Sequence, residues 1–304
     1  MQVNRVTYPL AMGDVVELGR RIQQLARRAV ATLPSRDPAR TAAHTAIVRP
    51  IDYMRWAEFE AVLRTLALQP GERVLDVGSP QWLTLALADA HPQTEFVYTN
   101  IIERELAPFR TIADVLGLSN VTYRLEDARD LTFDDALFDH VVTVSVIEHI
   151  YPEVGGDLDA LRELGRVMRE DGRLHLTMPF KDRRNVIYLD GAVYERSGDG
   201  KQFFAREYDR EQFDALIASS GFALDGPANL ITERLGWFAL DAYTWGPRSN
   251  RITRAAFGVA QLVSERVLRH SFEEMLAGRY LSTSPTADGR LVNIAVVLKK
   301  QGRD

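Results

Sequence analysis

The sequence contains no cysteine among its 304 residues. This absence excludes disulfide bonds, thiolate metal ligands and a thiol nucleophile. Because structural disulfides belong to oxidising compartments, a chain without cysteine favours a cytoplasmic location.

Long apolar runs are also missing from the sequence. No stretch approaches the length of about 18 uninterrupted apolar residues that a membrane-spanning helix needs. The first 21 residues, MQVNRVTYPLAMGDVVELGRR, show neither the apolar core nor the cleavage pattern of a secretory signal. We therefore expect no association with a membrane.

Positive charge is not concentrated in any part of the chain. The formal net charge is −5, and Lys and Arg are interleaved with Asp and Glu throughout. Proteins that bind nucleic acid neutralise its phosphates with a basic surface, so we expect no nucleic-acid partner. The six histidines show no metal-ligand spacing, and we expect no metal site.

Residues 1–70 are predicted to form an N-terminal helical segment. Apolar residues recur at helical spacing from Val15 to Leu33, which predicts a first helix. Residues 33–50 contain three prolines and are predicted to be a loop. A second helix is predicted from about residue 51 to residue 68.

Residues 71–304 are predicted to form an α/β domain. Short apolar runs alternate with helical stretches, a pattern typical of a parallel sheet covered on both faces. Right-handed crossovers make this a doubly wound sheet, with ligands beyond the carboxyl ends of the strands. Strands are predicted at 73–77, 95–99, 121–125, 139–145 and 173–178, and helices near 81–90, 103–116 and 157–169.

Two insertions interrupt this alternation, at about 180–207 and 235–285. Both contain several aromatic residues, and we expect them to form a cap that determines substrate choice. For any single aromatic residue, packing inside that cap is the favoured role. The chain then ends in LVNIAVVLKK, a further predicted strand.

The loop after the first predicted strand, GSPQW at 78–82, has only one glycine. Gly78 allows the backbone to pass close to a ligand, although a tight turn would also favour glycine. Ser79 is a preferred N-cap and Pro80 a preferred first helical residue, so a helix N-terminus is predicted to face the site. The G-x-G-x-x-G pattern of a dinucleotide-dependent dehydrogenase is absent.

Four segments follow one another between residues 70 and 180. They are VLDVG at 74–78, DARDLTFDDALFDHVV at 127–142, SVIEHI at 145–150 and LRELGRVMREDGRLHLTMP at 161–179. As an ordered set they resemble the class I methyltransferases that use S-adenosyl-L-methionine, and their type 11-like members in particular. The resemblance implies a Rossmann-like, mostly parallel sheet of seven strands, the last antiparallel, with N-terminal helices and cap insertions.

The resemblance also implies a cofactor site. In the family an acidic residue after the second strand binds the ribose; Asn100 occupies that position without the charge, and Glu103 could compensate. Asp127 and Ala128 resemble the pair that contacts adenine. Asp76 could receive the cofactor's ammonium group, stabilise the loop, or do both. The predicted cofactor-binding residues are Asp76, Gly78, Ser79, Pro80, Asn100, Ile101, Asp127, Ala128, Ser145 and Val146.

His149 is the candidate catalytic residue. A histidine with a pKa near its usual value of about 6.5 could take a proton from a substrate hydroxyl as the methyl group arrives. In the family this Glu148-His149 pair also frames the cofactor pocket without acting as a base, and the sequence leaves both roles open.

The sequence therefore predicts methyl transfer from S-adenosyl-L-methionine to an oxygen, nitrogen or carbon atom of a small molecule, in secondary-metabolite or surface-sugar biosynthesis. Two alternatives remain. One is a methyltransferase-fold protein that binds a ligand without catalysis, and the other is an enzyme that uses this fold for a reaction other than methylation. The oligomeric state is left open, a homodimer included.

Overall fold

The computed structural model describes residues 15–194, 196, 200–234, 263, 272–287 and 289–302, and within them one large sheet organises the fold. Five parallel strands form its centre in the spatial order β3-β2-β1-β4-β5. These strands are β1 (Arg73–Val77), β2 (Glu95–Asn100), β3 (Val121–Leu125), β4 (Phe138–Val144) and β5 (Met168–Pro179). Strand order reverses beside β1, so the carboxyl ends of β1, β2 and β4 enclose a crevice.

Four antiparallel strands extend the sheet beyond β5. They are β8 (Phe222–Leu224), β9 (Asn229–Glu233), β10 (Leu281–Ser284) and β11 (Arg290–Lys300). Strand β11 pairs antiparallel with β5, β9 and β8, and β10 pairs with β9. A separate antiparallel hairpin of β6 (Asn185–Asp190) and β7 (Lys201–Glu207) lies within the first predicted insertion.

Eight helices in the described part of the chain cover the two faces of the sheet. They are α1 (Val15–Thr32), α2 (Ala39–Val48), α3 (Tyr53–Leu63), α4 (Gln81–Ala90), α5 (Glu103–Leu116), α6 (Gly156–Val167), α7 (Arg210–Ser220) and α8 (Phe272–Tyr280). The first five contribute to one hydrophobic core, whereas α6 and α7 pack in a second core on β4, β5 and β11. None of the described helices is both long enough and apolar enough to cross a lipid bilayer.

The predicted doubly wound, mostly parallel α/β fold is confirmed. Strands β1 to β4 lie within one residue of their predicted bounds, whereas β5 begins at Met168, five residues before the predicted start. The sheet has two strands beyond the expected seven, namely β8 and β10. The predicted loop at residues 33–50 is wrong, because α2 occupies residues 39–48. Its three prolines, Pro34, Pro38 and Pro50, lie outside the helix, while Ala43 and Ala46 are small enough to pack closely. The division at residue 70 stays a prediction.

Glu58 connects α3 to the carboxyl edge of the sheet and is fully shielded from solvent. Its Oε1 accepts hydrogen bonds from Thr177 Oγ1 at 2.7 Å, from Asn293 Nδ2 at 2.7 Å and from Ser145 Oγ. Its Oε2 accepts a hydrogen bond from Arg55 on the same helix. One carboxylate therefore holds α3 to the end of β5, the start of β11 and the residue after β4.

We expect Glu58→Ala to lower the free energy of unfolding by about 3–5 kcal/mol, because it leaves a partly buried guanidinium and three donors without their acceptor. Urea denaturation measures this change. The control is Glu60→Ala on the same helix. The Glu60 carboxylate is partly exposed and pairs with Arg64, so this substitution should lower the free energy of unfolding by less than about 1 kcal/mol. Equal losses in the two variants would contradict the role given to Glu58.

Candidate functional site

A cavity of about 410 Å³ lies where β1, β2, β3 and β4 end. It is lined by backbone and side chains from the residues that follow these strands and by Tyr194 and Arg196 of the first insertion. Eight of the eleven residues predicted from the sequence line this cavity: Gly78, Asn100, Ile101, Asp127, Ala128, Ser145, Val146 and His149.

Gly78 forms the turn at the bottom of the cavity. Its φ of +68° lies in the left-handed region, and its N–H donates to the Thr99 carbonyl at 2.9 Å. A Cβ at this position would lie 3.1 Å from Val146 Cγ1. Both the backbone conformation and the close approach therefore favour glycine here.

Asp76, Ser79 and Pro80 do not line the cavity, contrary to the expectation from the sequence. The buried Asp76 carboxylate accepts hydrogen bonds from Ser79 N at 3.1 Å and from Thr84 Oγ1, which favours its role in stabilising the loop. Burial raises the pKa of Asp76 to about 6, and its hydrogen bonds oppose that rise.

The predicted helix cap is also wrong. Helix α4 begins at Gln81, with Pro80 in the capping position and no side-chain cap. The Ser79 hydroxyl instead accepts a hydrogen bond from Val144 N at 3.1 Å, which links the loop to β4. Trp82 packs edge-on against Phe109 with ring centroids 5.6 Å apart, so it joins α4 to α5 and does not line the cavity.

The acidic group beside Asn100 is Glu105, which sequence reasoning missed. Asn100 Oδ1 accepts from Ile102 N at 2.9 Å, and its Nδ2 donates to Glu105 Oε2 at 3.2 Å. Glu105 lines the cavity, whereas Glu103, the residue suggested from the sequence, pairs with Arg110. The two acids lie in the first turn of α5. The direction of this helix decides which of them faces the cavity.

Asp127 lies in the cavity wall with its carboxylate paired to Arg129. Arg129 Nε donates to both carboxylate oxygens, at 3.0 and 3.2 Å, and its Nη1 donates to the Tyr151 carbonyl at 2.6 Å. The hydrogen bonds from this guanidinium hold the pKa of Asp127 below its usual value. Arg129 therefore connects the segment after β3 to the loop after β4.

His149 is held in a single orientation beside the cavity. Its Nδ1 lies 2.8 Å from the Phe204 carbonyl oxygen, which can only accept, so Nδ1 carries the proton. The Nε2 atom is then the acceptor, and it lies 3.7 Å from Glu148 Oε1. Burial lowers the pKa of His149 to about 4 and raises that of Glu148 to about 8. Both groups are therefore neutral near pH 7 and do not form an ion pair.

The β6–β7 hairpin covers His149. Tyr194 stacks on Phe204 with centroids 6.1 Å apart, and the His149 ring lies 5.5 Å from Tyr194 and 4.7 Å from Phe204. The buried Arg206 on β7 donates to four backbone carbonyls of the loop after β4. Most of the second predicted insertion, residues 235–262 and 264–271, lies outside the described residues.

His140 and His175 lie outside the cavity lining and close to each other. His140 Nδ1 is 3.3 Å from His175 Nε2, and His175 Nδ1 is 3.0 Å from Thr65 Oγ1. Burial lowers the pKa of His175 to about 3. The sequence did not predict that β4 and β5 would bring these two rings together.

Comparisons with known proteins point to one family. Residues 75–176 match a family model described as a methyltransferase domain. The ribosomal RNA small subunit methyltransferase G of Bacteroides thetaiotaomicron is 28% identical over 135 residues, covering 42% of this chain and 64% of that protein. The demethylmenaquinone methyltransferase of Bacillus cytotoxicus is 30% identical over 152 residues, covering 48% and 62% respectively. The chain thus spans slightly less than two thirds of either curated relative.

Solved structures agree on the fold. A protein provisionally described as a methyltransferase, from Bacillus halodurans C-125, superposes with a TM-score of 0.50 at 16% identity, covering 79% of this chain and 97% of that one. The MccD protein superposes with a TM-score of 0.52 at 13% identity, covering 83% and 100% respectively. At these identities the likeness concerns the fold alone.

We expect His149 to titrate near pH 4, far below its ordinary value of 6.5, because burial disfavours the cation. The unfolded chain then binds more protons between these two values, so His149 reduces stability as the pH falls through that window. Nitrogen NMR of the imidazole measures the midpoint of the titration and detects the Nδ1-protonated tautomer. The signals of His149 are those that disappear in His149→Gln. A midpoint near 6.5 would contradict the buried, hydrogen-bonded position.

Proposed function

We propose that this chain, whose residues 75–176 belong to the class I methyltransferase family, transfers a methyl group from S-adenosyl-L-methionine to a small-molecule acceptor. The observation that carries the proposal is the cavity at the carboxyl ends of β1, β2, β3 and β4, where the family motifs converge. Its volume of about 410 Å³ falls in the range of roughly 300–1,000 Å³ found for small-ligand pockets.

The residues around the cavity suit this cofactor. Glu105, Glu126 and Asp127 line it and supply carboxylate oxygens for hydroxyl and amino groups. Glu105 would accept from the ribose hydroxyls, and Asp127 with Ala128 N–H would hold the adenine edge. Gly78 and Ser145 would border the methionine portion. When bound, S-adenosyl-L-methionine supplies an activated methyl group on a sulfonium.

His149 would act on the acceptor. With Nδ1 donating to the Phe204 carbonyl, the imidazole presents Nε2 as a lone-pair acceptor in the cavity wall. Proton transfer from an acceptor hydroxyl or amine to this atom would accompany attack on the methyl carbon. The low pKa of His149 keeps it unprotonated near pH 7 and also makes it a weak base. Positioning and exclusion of water by the hairpin would therefore supply much of the rate.

A small-molecule acceptor fits the charge of the chain better than a nucleic acid does. The net charge is −5, and the arginines near the cavity include Arg129, which Asp127 already neutralises. Of the two curated relatives, one is named for ribosomal RNA and one for demethylmenaquinone, so their names support different acceptor classes. A cytoplasmic role in secondary-metabolite or surface-sugar biosynthesis is the finer part of the proposal.

Titration calorimetry with S-adenosyl-L-methionine and S-adenosyl-L-homocysteine tests the proposal. We expect both to bind, and S-adenosyl-L-homocysteine to form when the acceptor is added. The absence of binding at millimolar ligand would overturn the proposal. Binding without any methyl transfer would favour a binding protein, and product formation without S-adenosyl-L-homocysteine would favour another reaction on the same fold.

We expect Glu105→Gln to weaken S-adenosyl-L-homocysteine binding by about tenfold, because a hydrogen bond to a charged group is stronger than one to a neutral group. Glu103→Gln is the matched control, since this acid lies in the same turn and pairs with Arg110 outside the cavity lining. Calorimetry on both variants measures the difference. If Glu103→Gln weakens binding as much as Glu105→Gln, the assignment of Glu105 is wrong.

A further inference from the structure

Arg196 occupies a fixed place in the cavity wall. It forms a short antiparallel bridge with Val193, with Val193 N donating to Arg196 O at 2.9 Å and Arg196 N donating to Val193 O at 3.0 Å. The turn between them places Tyr194 at a φ of +53°. Tyr194 and Arg196 therefore reach the cavity from one tight turn, and Tyr194 contacts the His149 ring.

The guanidinium of Arg196 is oriented by two aromatic rings. Its central carbon lies 4.7 Å from the centroid of the Tyr151 ring and 5.4 Å from that of the Phe203 ring. Nη2 donates to the Phe203 carbonyl at 2.7 Å. Within the described residues, Nε and Nη1 have no acceptor. The group is thus held in place while part of its donor edge is left for a ligand.

The other arginines around the site each have an acidic partner. Arg129 pairs with Asp127, Arg55 with Glu58, and Arg206 lies 3.5 Å from Asp157. Arg196 has no carboxylate partner in the part of the chain that the structure describes. Among the described residues, no carboxylate therefore forms an ion pair with Arg196.

The proposed cofactor carries a net positive charge, because its sulfonium and ammonium groups outweigh its single carboxylate. An acceptor with a carboxylate would place a negative charge beside Arg196. A guanidinium binds a carboxylate through two parallel N–H donors, which suits an edge with free donors. The rings of Tyr151, Tyr194 and His149 line the same cavity as Arg196. Such rings favour a planar ligand.

We propose that Arg196 binds the carboxylate of an aromatic methyl acceptor and so determines which substrates enter the site. This inference rests on the proposed function and assigns its acceptor class. It also gives a role to the first insertion, which the sequence associates with substrate choice.

The test compares two probes on the protein saturated with S-adenosyl-L-homocysteine. The probes are 4-hydroxybenzoate and its methyl ester, which share the phenol ring and differ in the charge. We expect calorimetry to show about tenfold tighter binding of the carboxylate, the size expected for one hydrogen-bonded charge. In Arg196→Gln this preference should fall below about twofold. Arg196→Lys keeps the positive charge but lacks the two parallel N–H donors of a guanidinium, so it should retain part of the preference for the carboxylate.

Arg210→Gln is the control, since this arginine lies on the surface of α7 and pairs with Asp214; it should keep the full preference. The inference is overturned if neither probe binds, if the wild type shows no preference, or if Arg196→Gln keeps it. It is also overturned if Arg196→Gln weakens S-adenosyl-L-homocysteine binding while the preference persists, because Arg196 would then contact the cofactor. Failure of the wild type to bind S-adenosyl-L-homocysteine would instead overturn the proposed function.

Discussion

The buried Glu58 carboxylate is the interaction on which the geometry of the site depends. It accepts hydrogen bonds from Ser145, Thr177 and Asn293, which belong to three neighbouring stretches of the sheet edge, and from Arg55 on α3. Ser145 has a φ of +52°, an unfavourable conformation for a residue with a side chain. Its hydroxyl is held by Glu58 while its backbone borders the cavity, so helix packing and cavity shape are coupled through one side chain.

A second polar anchor lies on the opposite side of the cavity. Arg206 is buried and donates to the carbonyls of Glu148, Ile150, Pro152 and Glu153, which satisfies a loop that would otherwise bury unpaired acceptors. His149 lies inside the loop that this guanidinium holds. Together, Glu58 and Arg206 explain why an irregular segment after β4 has a defined conformation.

The central sheet could be predicted from sequence because unbroken Val, Leu and Ile runs need burial on both faces, whatever else surrounds them. Gly78 and the residues after each strand followed from the family resemblance, together with the rule that ligands bind beyond the carboxyl ends of the strands. Glu105, Arg129 and Arg196 could not be predicted in this way. The position of Glu105 depends on the direction of α5, and that of Arg129 on the contact between the loops after β3 and β4. Arg196 reaches the cavity because a turn pairs it with Val193. Ser79 is a residue for which the local sequence predicts the wrong role. Serine is a preferred helix cap, but the Ser79 hydroxyl accepts a hydrogen bond from the backbone of β4 instead.

The contacts of Arg206 also hold the β6–β7 hairpin against the loop after β4. Lifting the β6–β7 hairpin from the loop after β4 would break several hydrogen bonds of one buried cation at once, so these two segments form a fixed wall. Two residues of the cavity lining, Ile101 after β2 and Tyr151 after β4, are about half exposed, at 50% and 51%. Side chains of the cavity lining therefore reach solvent while the hairpin stays in place.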